Sequence, residues 1–232
     1  MNLSVIFSTF NEAQNNYFLN SLSLLSKYSS IELIVVDKNS SDQTRDIAKS
    51  AGAKVITSQY NSRGKRLDEG LSLVTAPMVL FHHPRSTLTE DGINYLLEHE
   101  SLYWGAFTHQ FDFNSCLLNF TSWYSNKIRG DIREIYYLDH CIFSKKYLLD
   151  KIGGFPHNEI FEDTEVSLRL REIAPSSRLH FTSKTSSVRF KRNGQWRQAI
   201  LNQVMKACYH LGLDQKLMNK VYEIGLNLNS KY

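Results

Sequence analysis

Two histidines and an arginine follow an apolar run in residues 77–87, PMVLFHHPRST. The run Met78–Phe81 is typical of a buried strand, so His82, His83 and Arg85 are expected where that strand ends. Paired histidines are common metal ligands, whereas a guanidinium repels a cation and binds phosphate oxygens two at a time. The segment therefore leaves a metal site and an anion site both open.

Other polar side chains follow the ends of earlier strands. Thr9, Asn11 and Glu12 end the run LSVIFSTFNE, Asp37 ends IELIVVD, and Arg63 lies in the loop before a helix. Each alone is also a common turn or cap residue, which is a purely structural alternative. Because the carboxyl ends of parallel strands meet at one edge of a sheet, together they predict a ligand site at that edge.

Strands and helices alternate along the first part of the chain. The strands LSVIFSTF, IELIVVD, KVITSQ and MVLFHH are separated by helical segments, the second of them capped by Ser41 or Asp42. The second half is less regular: a strand WGAFTHQFDF, a strand leading into a helix that stops at Gly153–Gly154, and a helix EDTEVSLRLREI with acidic residues first. This order predicts a single α/β domain over residues 1–232, Rossmann-like, with a mostly parallel central sheet flanked by helices.

Several enzyme classes lack their motifs here. There is no G-x-G-x-x-G turn for a dinucleotide, no G-x-x-x-x-G-K-[ST] loop and no G-x-S-x-G elbow. No apolar run reaches the roughly 20 residues of a membrane span, and no signal-peptide pattern begins the chain. Three cysteines without a C-x-x-C predict reduced thiols in a cytoplasmic protein.

The net charge of +4 is unevenly distributed. Residues 173–213 contain seven Lys or Arg and no Asp or Glu, which leaves 20 basic and 23 acidic residues elsewhere. Such a segment suggests a phosphate-bearing partner or a membrane surface, and a solvated basic face is the alternative. Nucleic acid is not expected as a partner, because no nucleic-acid-binding motif accompanies the charge.

Three segments resemble the opening of a known family: SVIFSTFNEAQN, IELIVVDKNSSDQTRDIAKSAGAKVI and SRGKRLDEGLSLVTAPMVLFHH. They are similar to the family-2 glycosyltransferases with the GT-A fold, and most similar to the small bacterial subgroup called selenodomain-associated transferases. LDHCIFSKKYLLDKIGGFPHNEIFEDTEVSLRLR resembles its D-Q, G-G-F-P and E-D segments, and TSSVRFKRNGQWRQAILNQ its C-terminal end. The resemblance covers roughly residues 3–213.

The resemblance implies an inverting, hexosyltransferase-like enzyme that moves a sugar from a UDP- or GDP-linked donor to a sugar or lipid-linked acceptor, as in polysaccharide or glycolipid biosynthesis. It implies that Asp163, with Glu162 beside it, is the general base; an N-terminal helix cap is the alternative. The nucleotide would be held by a second group of residues: Thr9, Asn11, Glu12, Asp37 and Arg63. Asp139 and His140 would lie on the acceptor side, with His140 in place of the usual Gln.

The family's metal-binding acidic residue is missing. The subgroup reads F-L-H-A-D-T where this chain reads FHHPRST, so Arg85 stands at the position of the Asp that binds Mg²⁺ or Mn²⁺. Three explanations compete. Arg85 replaces the cation, which we favour; His82 or His83 holds a metal; or the protein is a catalytically silent nucleotide-sugar-binding relative.

A basic amphipathic helical segment is expected from about residue 195. Trp196, Ile200, Val204 and Cys208 fall on one stripe of that helix. A core-facing helix is the commoner role for such a stripe. The alternative is peripheral contact with the inner face of a membrane that presents a lipid-linked acceptor.

Overall fold

The protein is described here by a computed structural model that covers residues 1–224, and the last eight residues of the predicted domain lie outside the described residues. The strands are β1 Leu3–Thr9, β2 Ile31–Asp37, β3 Lys54–Thr57, β4 Met78–Phe81, β5 Ser86–Leu88, β6 Trp104–Phe111, β7 Ile142–Lys145 and β8 Ser176–Thr185. The helices are α1 Asn16–Leu25, α2 Thr44–Ser50, α3 Arg63–Leu71, α4 Glu90–Glu98, α5 Cys116–Tyr124, α6 Lys146–Lys151, α7 Glu162–Arg171, α8 Val188–Asn193, α9 Gln195–His210 and α10 Gln215–Ile224.

The strands form one eight-stranded sheet in the order β3-β2-β1-β4-β7-β6-β8-β5. The half built from β1 to β4 is parallel, as the alternation of strands and helices predicts. β7 runs antiparallel to both β4 and β6, and β5 antiparallel to β8. Thr9 at the end of β1 is directly opposite Asp37 at the end of β2, which confirms that these two strand ends meet.

Two hydrophobic cores lie on opposite faces of the sheet. Every residue of β1 and β2 is buried, because helices cover both faces. Phe18 of α1 and Ile93 of α4 belong to one core, and Leu67 of α3 and Val166 of α7 to the other. This layered arrangement leaves the carboxyl edge of the parallel strands uncovered by either helix layer.

Beyond Tyr124, α5 continues as a π-helical segment over Ser125–Ile132. A short 3₁₀ turn, Leu138–His140, then leads into β7, and Cys141 between them has a left-handed backbone with φ of 55°. Neither the π-helical segment nor β8 was predicted from the sequence.

The helix predicted from about residue 195 is present as α9, but its apolar stripe does not face the core. Trp196 is 71% exposed and Ile200 and Val204 are also exposed, while Gln198 and Met205 are the buried residues. The expectation of a core-facing stripe was therefore wrong for the part of the chain that the structure describes. Between residues 1 and 224, none of the helices is both long and apolar enough to cross a membrane.

Candidate active site

Asp37 fixes the loop that follows β2. Its carboxylate is fully buried and accepts hydrogen bonds from Thr9 Oγ1 at 2.8 Å, from Ser40 N at 2.7 Å and from Ser40 Oγ at 2.6 Å. Arg45 Nε lies 3.8 Å away. Thr9 and Asp37 therefore hold each other and shape the backbone of this edge, and neither oxygen of Asp37 faces open solvent.

The loop after β1 is tied to the loop after β2. Asn11 has a left-handed backbone with φ of 52°, and its Oδ1 accepts from Ser41 N at 2.9 Å. Glu12 N donates to Thr44 Oγ1 at 2.8 Å. Beyond this pair of loops, a cavity of about 470 Å³ opens between Lys38 and α10, lined by Lys38, Asn61, Glu159, Lys216, Asn219 and Lys220. Three lysines, two asparagines and one glutamate give it a polar, mostly basic lining.

Arg85 extends toward Glu12. Its Nη2 lies 3.7 Å from Glu12 Oε1, and Glu12 Oε2 accepts from Asn15 Nδ2 at 2.8 Å. Burial raises the pKa of Glu12, and the guanidinium of Arg85 opposes that shift. Arg85 thus lies where the sequence placed it, at the carboxyl edge of β4, as a cation held beside the β1 loop.

Three arginines influence His83 electrostatically: Arg63 and Arg85, which were predicted site residues, and Arg189. Its pKa is lowered well below the usual range, first by burial and then by Arg63, with Arg85 and Arg189 acting in the same direction against Asp139. Arg189 also donates to Tyr222 Oη of α10 at 2.9 Å. Three guanidinium groups, from α3, the β4 loop and α8, therefore act on the His83 ring electrostatically.

The side chains around Arg85 do not fit a divalent cation. His83 Nδ1 accepts from Arg85 N at 3.2 Å, so its other ring nitrogen carries the hydrogen and has no lone pair for a metal. His82 Nδ1 donates to the carbonyl oxygen of His83, which leaves a lone pair on Nε2, but the His82 ring is only 3% exposed and packs against Phe7 with 4.6 Å between ring centres. The nearby carboxylate Glu12 is paired with Arg85. Within residues 1–224 no three His, Cys, Asp or Glu side chains gather as a metal-ligand set.

The Glu162–Asp163 pair opens α7 directly across from Arg63. Arg63 Nε donates to Glu162 Oε1, and its Nη2 lies 3.7 Å from Asp163 Oδ2. Asp163 also accepts from Leu138 N at 3.1 Å and from Thr164 N at 2.8 Å. Burial and the neighbouring Glu162 raise the pKa of Asp163 to about 6, and Arg63 limits the shift.

Local backbone geometry places this pair. Phe161, just before Glu162, has a left-handed backbone with φ of 60°, which turns the chain sharply into α7. Gly64 lets α3 come close, because a Cβ there would lie 2.1 Å from the carbonyl oxygen of Pro156 and 3.2 Å from Glu162 Cβ. Four of the five left-handed non-glycine residues in the described chain lie in the loops around the cleft: Asn11, Asn39, Cys141 and Phe161. Backbone strain of this kind is concentrated at functional sites.

Asp139 and His140 have different surroundings. Asp139 is partly exposed in the cleft, where its Oδ2 lies 3.5 Å from His109 Nε2. His140 is fully buried, and its ring nitrogens face the carbonyl oxygen of Phe107 at 3.1 Å and Ser125 Oγ at 2.8 Å. Burial lowers the pKa of His140 to about 3, so it is a neutral part of the wall behind Asp139.

Other cleft residues carried no signal in the sequence. His109 lies in the alternating strand β6, and Arg129 and Tyr137 lie in stretches with no motif. Arg189 and Lys206 were visible only as members of a basic segment. Their placement depends on the π-helical segment, β8 and the C-terminal helices, which no local pattern specifies.

Residues 4–99 match the family model described as glycosyl transferase family 2. The match covers less than half of the chain, and the chain as a whole has the GT-A fold of the solved structures to which it is similar. Among solved structures it is similar to S. aureus TarS 1–349 in complex with UDP-GlcNAc, at 20% identity and a TM-score of 0.64 over 81% of this chain and 59% of that chain. A second TarS structure is matched over 44% of its length, so this GT-A chain spans about half of that protein.

Two further GT-A proteins are similar in fold. One is the mannosyl-3-phosphoglycerate synthase from Rubrobacter xylanophilus, with 13% identity and a TM-score of 0.60 over 93% of this chain and 76% of that chain. The other is the mannosyltransferase PcManGT from Pyrobaculum calidifontis in complex with GDP-Man and Mn²⁺, with 14% identity and a TM-score of 0.60 over 89% and 64%. A search of curated protein sequences found no match.

Proposed function

We propose that this protein is an inverting glycosyltransferase that moves a sugar from a nucleoside diphosphate to an acceptor hydroxyl. The observation that carries the proposal is Asp163, a buried carboxylate with a raised pKa, held by Leu138 N, Thr164 N and Arg63 in the same cleft as the Arg63–Arg85–Arg189 cluster. A base and a cationic cluster in one cleft are the two parts that a single displacement with inversion requires.

Each part has a defined task in this proposal. The cavity beside Lys38 takes the nucleoside, and Thr9, Asn11 and Asp37 shape its edge through the hydrogen bonds of their two loops. Arg85 and Arg189 neutralise the departing diphosphate, since a guanidinium binds phosphate oxygens two at a time. Asp163 accepts the acceptor proton while Glu162 keeps Arg63 in place beside it.

The structures to which this chain is similar suggest the donor. TarS was solved with UDP-GlcNAc, PcManGT with GDP-Man and Mn²⁺, and glucosyl-3-phosphoglycerate synthase of Mycobacterium tuberculosis with UDP and Mn²⁺. UDP- and GDP-linked sugars are therefore the donors to test first. For this chain we infer that Arg85 takes the charge-neutralising role, at the position where the subgroup that the sequence resembles has its acidic metal ligand.

A catalytically silent nucleotide-sugar-binding relative is the second candidate. Arg85 in place of an acidic residue favours it, whereas the buried Glu162–Asp163 pair with its Arg63 partner favours an enzyme. The two differ in one measurement, because only the enzyme releases UDP or GDP from the donor.

Calorimetric titration with UDP and GDP, once with Mn²⁺ and once with EDTA, tests donor binding. We expect equal affinity in both buffers and at least a tenfold loss in Arg85→Gln, with no change in the exposed control Arg171→Gln. A nucleotide-release assay with a panel of UDP- and GDP-sugars then tests turnover. Binding only with Mn²⁺ would contradict the role of Arg85, and binding without any release would favour the silent relative.

A further inference from the structure

Three side chains on the Asp139 side of the cleft have buried polar atoms without a hydrogen-bond partner among the described residues. They are Arg129 through Nη1, Asp139 through Oδ1, and His109 through both ring nitrogens. Buried polar atoms are nearly always satisfied, so each of these atoms calls for a partner. Asp139 Oδ2 lies 3.5 Å from His109 Nε2, and Asn126, on the same π-helical segment as Arg129, is bonded to the His109 backbone at 2.9 Å, so the three form one cluster.

Arg129 is held in place by the π-helical segment Ser125–Ile132. Asn126 on this segment accepts from His109 N and donates to His109 O, both at 2.9 Å. Ser125 contacts His140 Nε2 at 2.8 Å, which ties the same segment to the 3₁₀ turn. π-helical turns are rare and occur frequently at functional sites. The wide turn therefore fixes Arg129 against the wall of the cleft.

Arg129 and Lys206 form the cationic side of the cluster. The guanidinium of Arg129 lies 3.3 Å from the centre of the Tyr137 ring, and Lys206 Nζ lies 5.8 Å from the same centre. Arg129 is only 7% exposed, yet within residues 1–224 no carboxylate lies within 4 Å of it or of Lys206. Burial and the neighbouring Arg129 lower the pKa of Lys206 to about 8. A buried guanidinium without a direct ion pair is costly, so an anion bound beside Arg129 would stabilise its charge.

The geometry points to a pocket for the acceptor's own charge: we propose that Arg129, Tyr137 and Lys206 bind a phosphate or carboxylate group on the acceptor. The unpartnered Asp139 Oδ1 accepts from an acceptor hydroxyl, which orients the molecule. Tyr137 directly precedes Leu138, whose N donates to Asp163 Oδ2 at 3.1 Å, so a ligand held at Tyr137 lies beside the proposed base. The identification of the ligand as the acceptor rests on the proposed glycosyl transfer, whereas anion binding itself does not.

The test is calorimetric titration of the full chain with inorganic phosphate, sn-glycerol 3-phosphate and D-glycerate, with glycerol as the uncharged control. We expect binding of the charged compounds, none of glycerol, and at least a tenfold increase in Kd in Arg129→Gln. Comparing the Kd for phosphate with the Kd for D-glycerate shows whether the site prefers a phosphate or a carboxylate group. Arg171→Gln is the control for a lost surface charge and should leave Kd unchanged.

Phosphate could also occupy the arginine cluster around His83, so Arg85→Gln is titrated in parallel. Binding that survives in Arg85→Gln and is lost in Arg129→Gln assigns the anion to the proposed pocket. Lys206→Gln, on a partly exposed helix face, gives a second variant if Arg129→Gln does not fold, and it should raise Kd at least threefold. The proposal would be overturned if the wild type bound no anion, or if the Arg129 and Lys206 variants bound it with the wild-type Kd.

The same titrations separate this inference from the proposed function. If UDP and GDP do not bind but phosphate binds through Arg129, the donor assignment fails and the pocket stands. If UDP binds and the anions bind independently of Arg129 and Lys206, the donor assignment stands and the pocket fails.

Discussion

Arg63 Nη2 at the start of α3 lies 3.7 Å from Asp163 Oδ2 at the start of α7, and this contact joins the two halves of the cleft. The same guanidinium is bonded to Glu162, so one cation faces two neighbouring carboxylates. Asp163 thus remains buried and ionisable close to neutral pH. Three predictions concern the charges of this cleft, and a fourth concerns Glu32 near the start of β2.

Replacing Asp163 with Asn should lower kcat about 10²–10⁴-fold, the usual contribution of a general base, while UDP or GDP binding is retained. In the wild type, Asp163 must be deprotonated to act, and its pKa is raised to about 6. Turnover should therefore fall about tenfold per pH unit below pH 6. A pH–rate profile measures this. Retained turnover in Asp163→Asn would remove the residue from the mechanism.

Replacing Arg63 with Gln should move the acidic limb of that profile to higher pH. Without the guanidinium, Glu162 lies beside Asp163 uncompensated, and both burial and a like charge raise the pKa of a carboxyl group. We expect a shift of roughly one pH unit or more by the usual size of such an interaction. Arg171→Gln provides the matched control. An unshifted limb with lower turnover would mean that Arg63 acts only on the nucleotide.

Replacing Arg85 with Asp should make donor binding depend on a metal. The substitution removes the cation beside Glu12 and leaves two carboxylates there, which are ligands that Mg²⁺ and Mn²⁺ prefer. We expect EDTA to abolish UDP binding in this variant and Mn²⁺ to restore it. Equal binding with Mn²⁺ and EDTA in Arg85→Asp would show that position 85 does not contact the diphosphate.

Glu32 should stabilise the fold in a pH-dependent way. Burial alone would raise the pKa of Glu32, but hydrogen bonds from Lys54, Ser4 and Thr75 outweigh it and hold the pKa at about 2. A lowered carboxyl pKa adds stability above its unfolded value near 4.5, and this stability is lost as the pH falls toward 2. Glu32→Gln should therefore lower the free energy of unfolding by up to about 3 kcal/mol at pH 7. Urea unfolding at pH 7 and pH 3 measures this, and the difference between the two proteins should shrink at pH 3.

Local patterns predicted the parallel half of the fold because its elements are determined by nearby residues. β1 and β2 are continuous apolar runs, and helices follow them as predicted. The cap predicted at Ser41 or Asp42 was wrong, because α2 begins at Thr44 after Gln43. Thr9 and Asp37 end neighbouring strands, so their contact follows from the parallel register.

The antiparallel half was less predictable. β8 alternates polar and apolar residues only weakly, and it forms because β6 and β5 supply its hydrogen-bond partners on either side. The apolar stripe of α9 has the spacing of a core-facing helix but is exposed. Spacing along a helix shows that a stripe exists and cannot show what it packs against.

The sequence by itself determined the strand ends, the Glu162–Asp163 pair and the arginine at position 85, because residue type and order along the chain are enough for these. Only the tertiary structure decided that Arg63 joins the acidic pair, that Arg85 faces Glu12, and that Arg129 lies on Tyr137. These contacts connect residues as much as 99 positions apart. They depend on the crossing of helices, on left-handed turns at Cys141 and Phe161, and on one π-helical segment, and no short stretch of sequence encodes such long-range geometry.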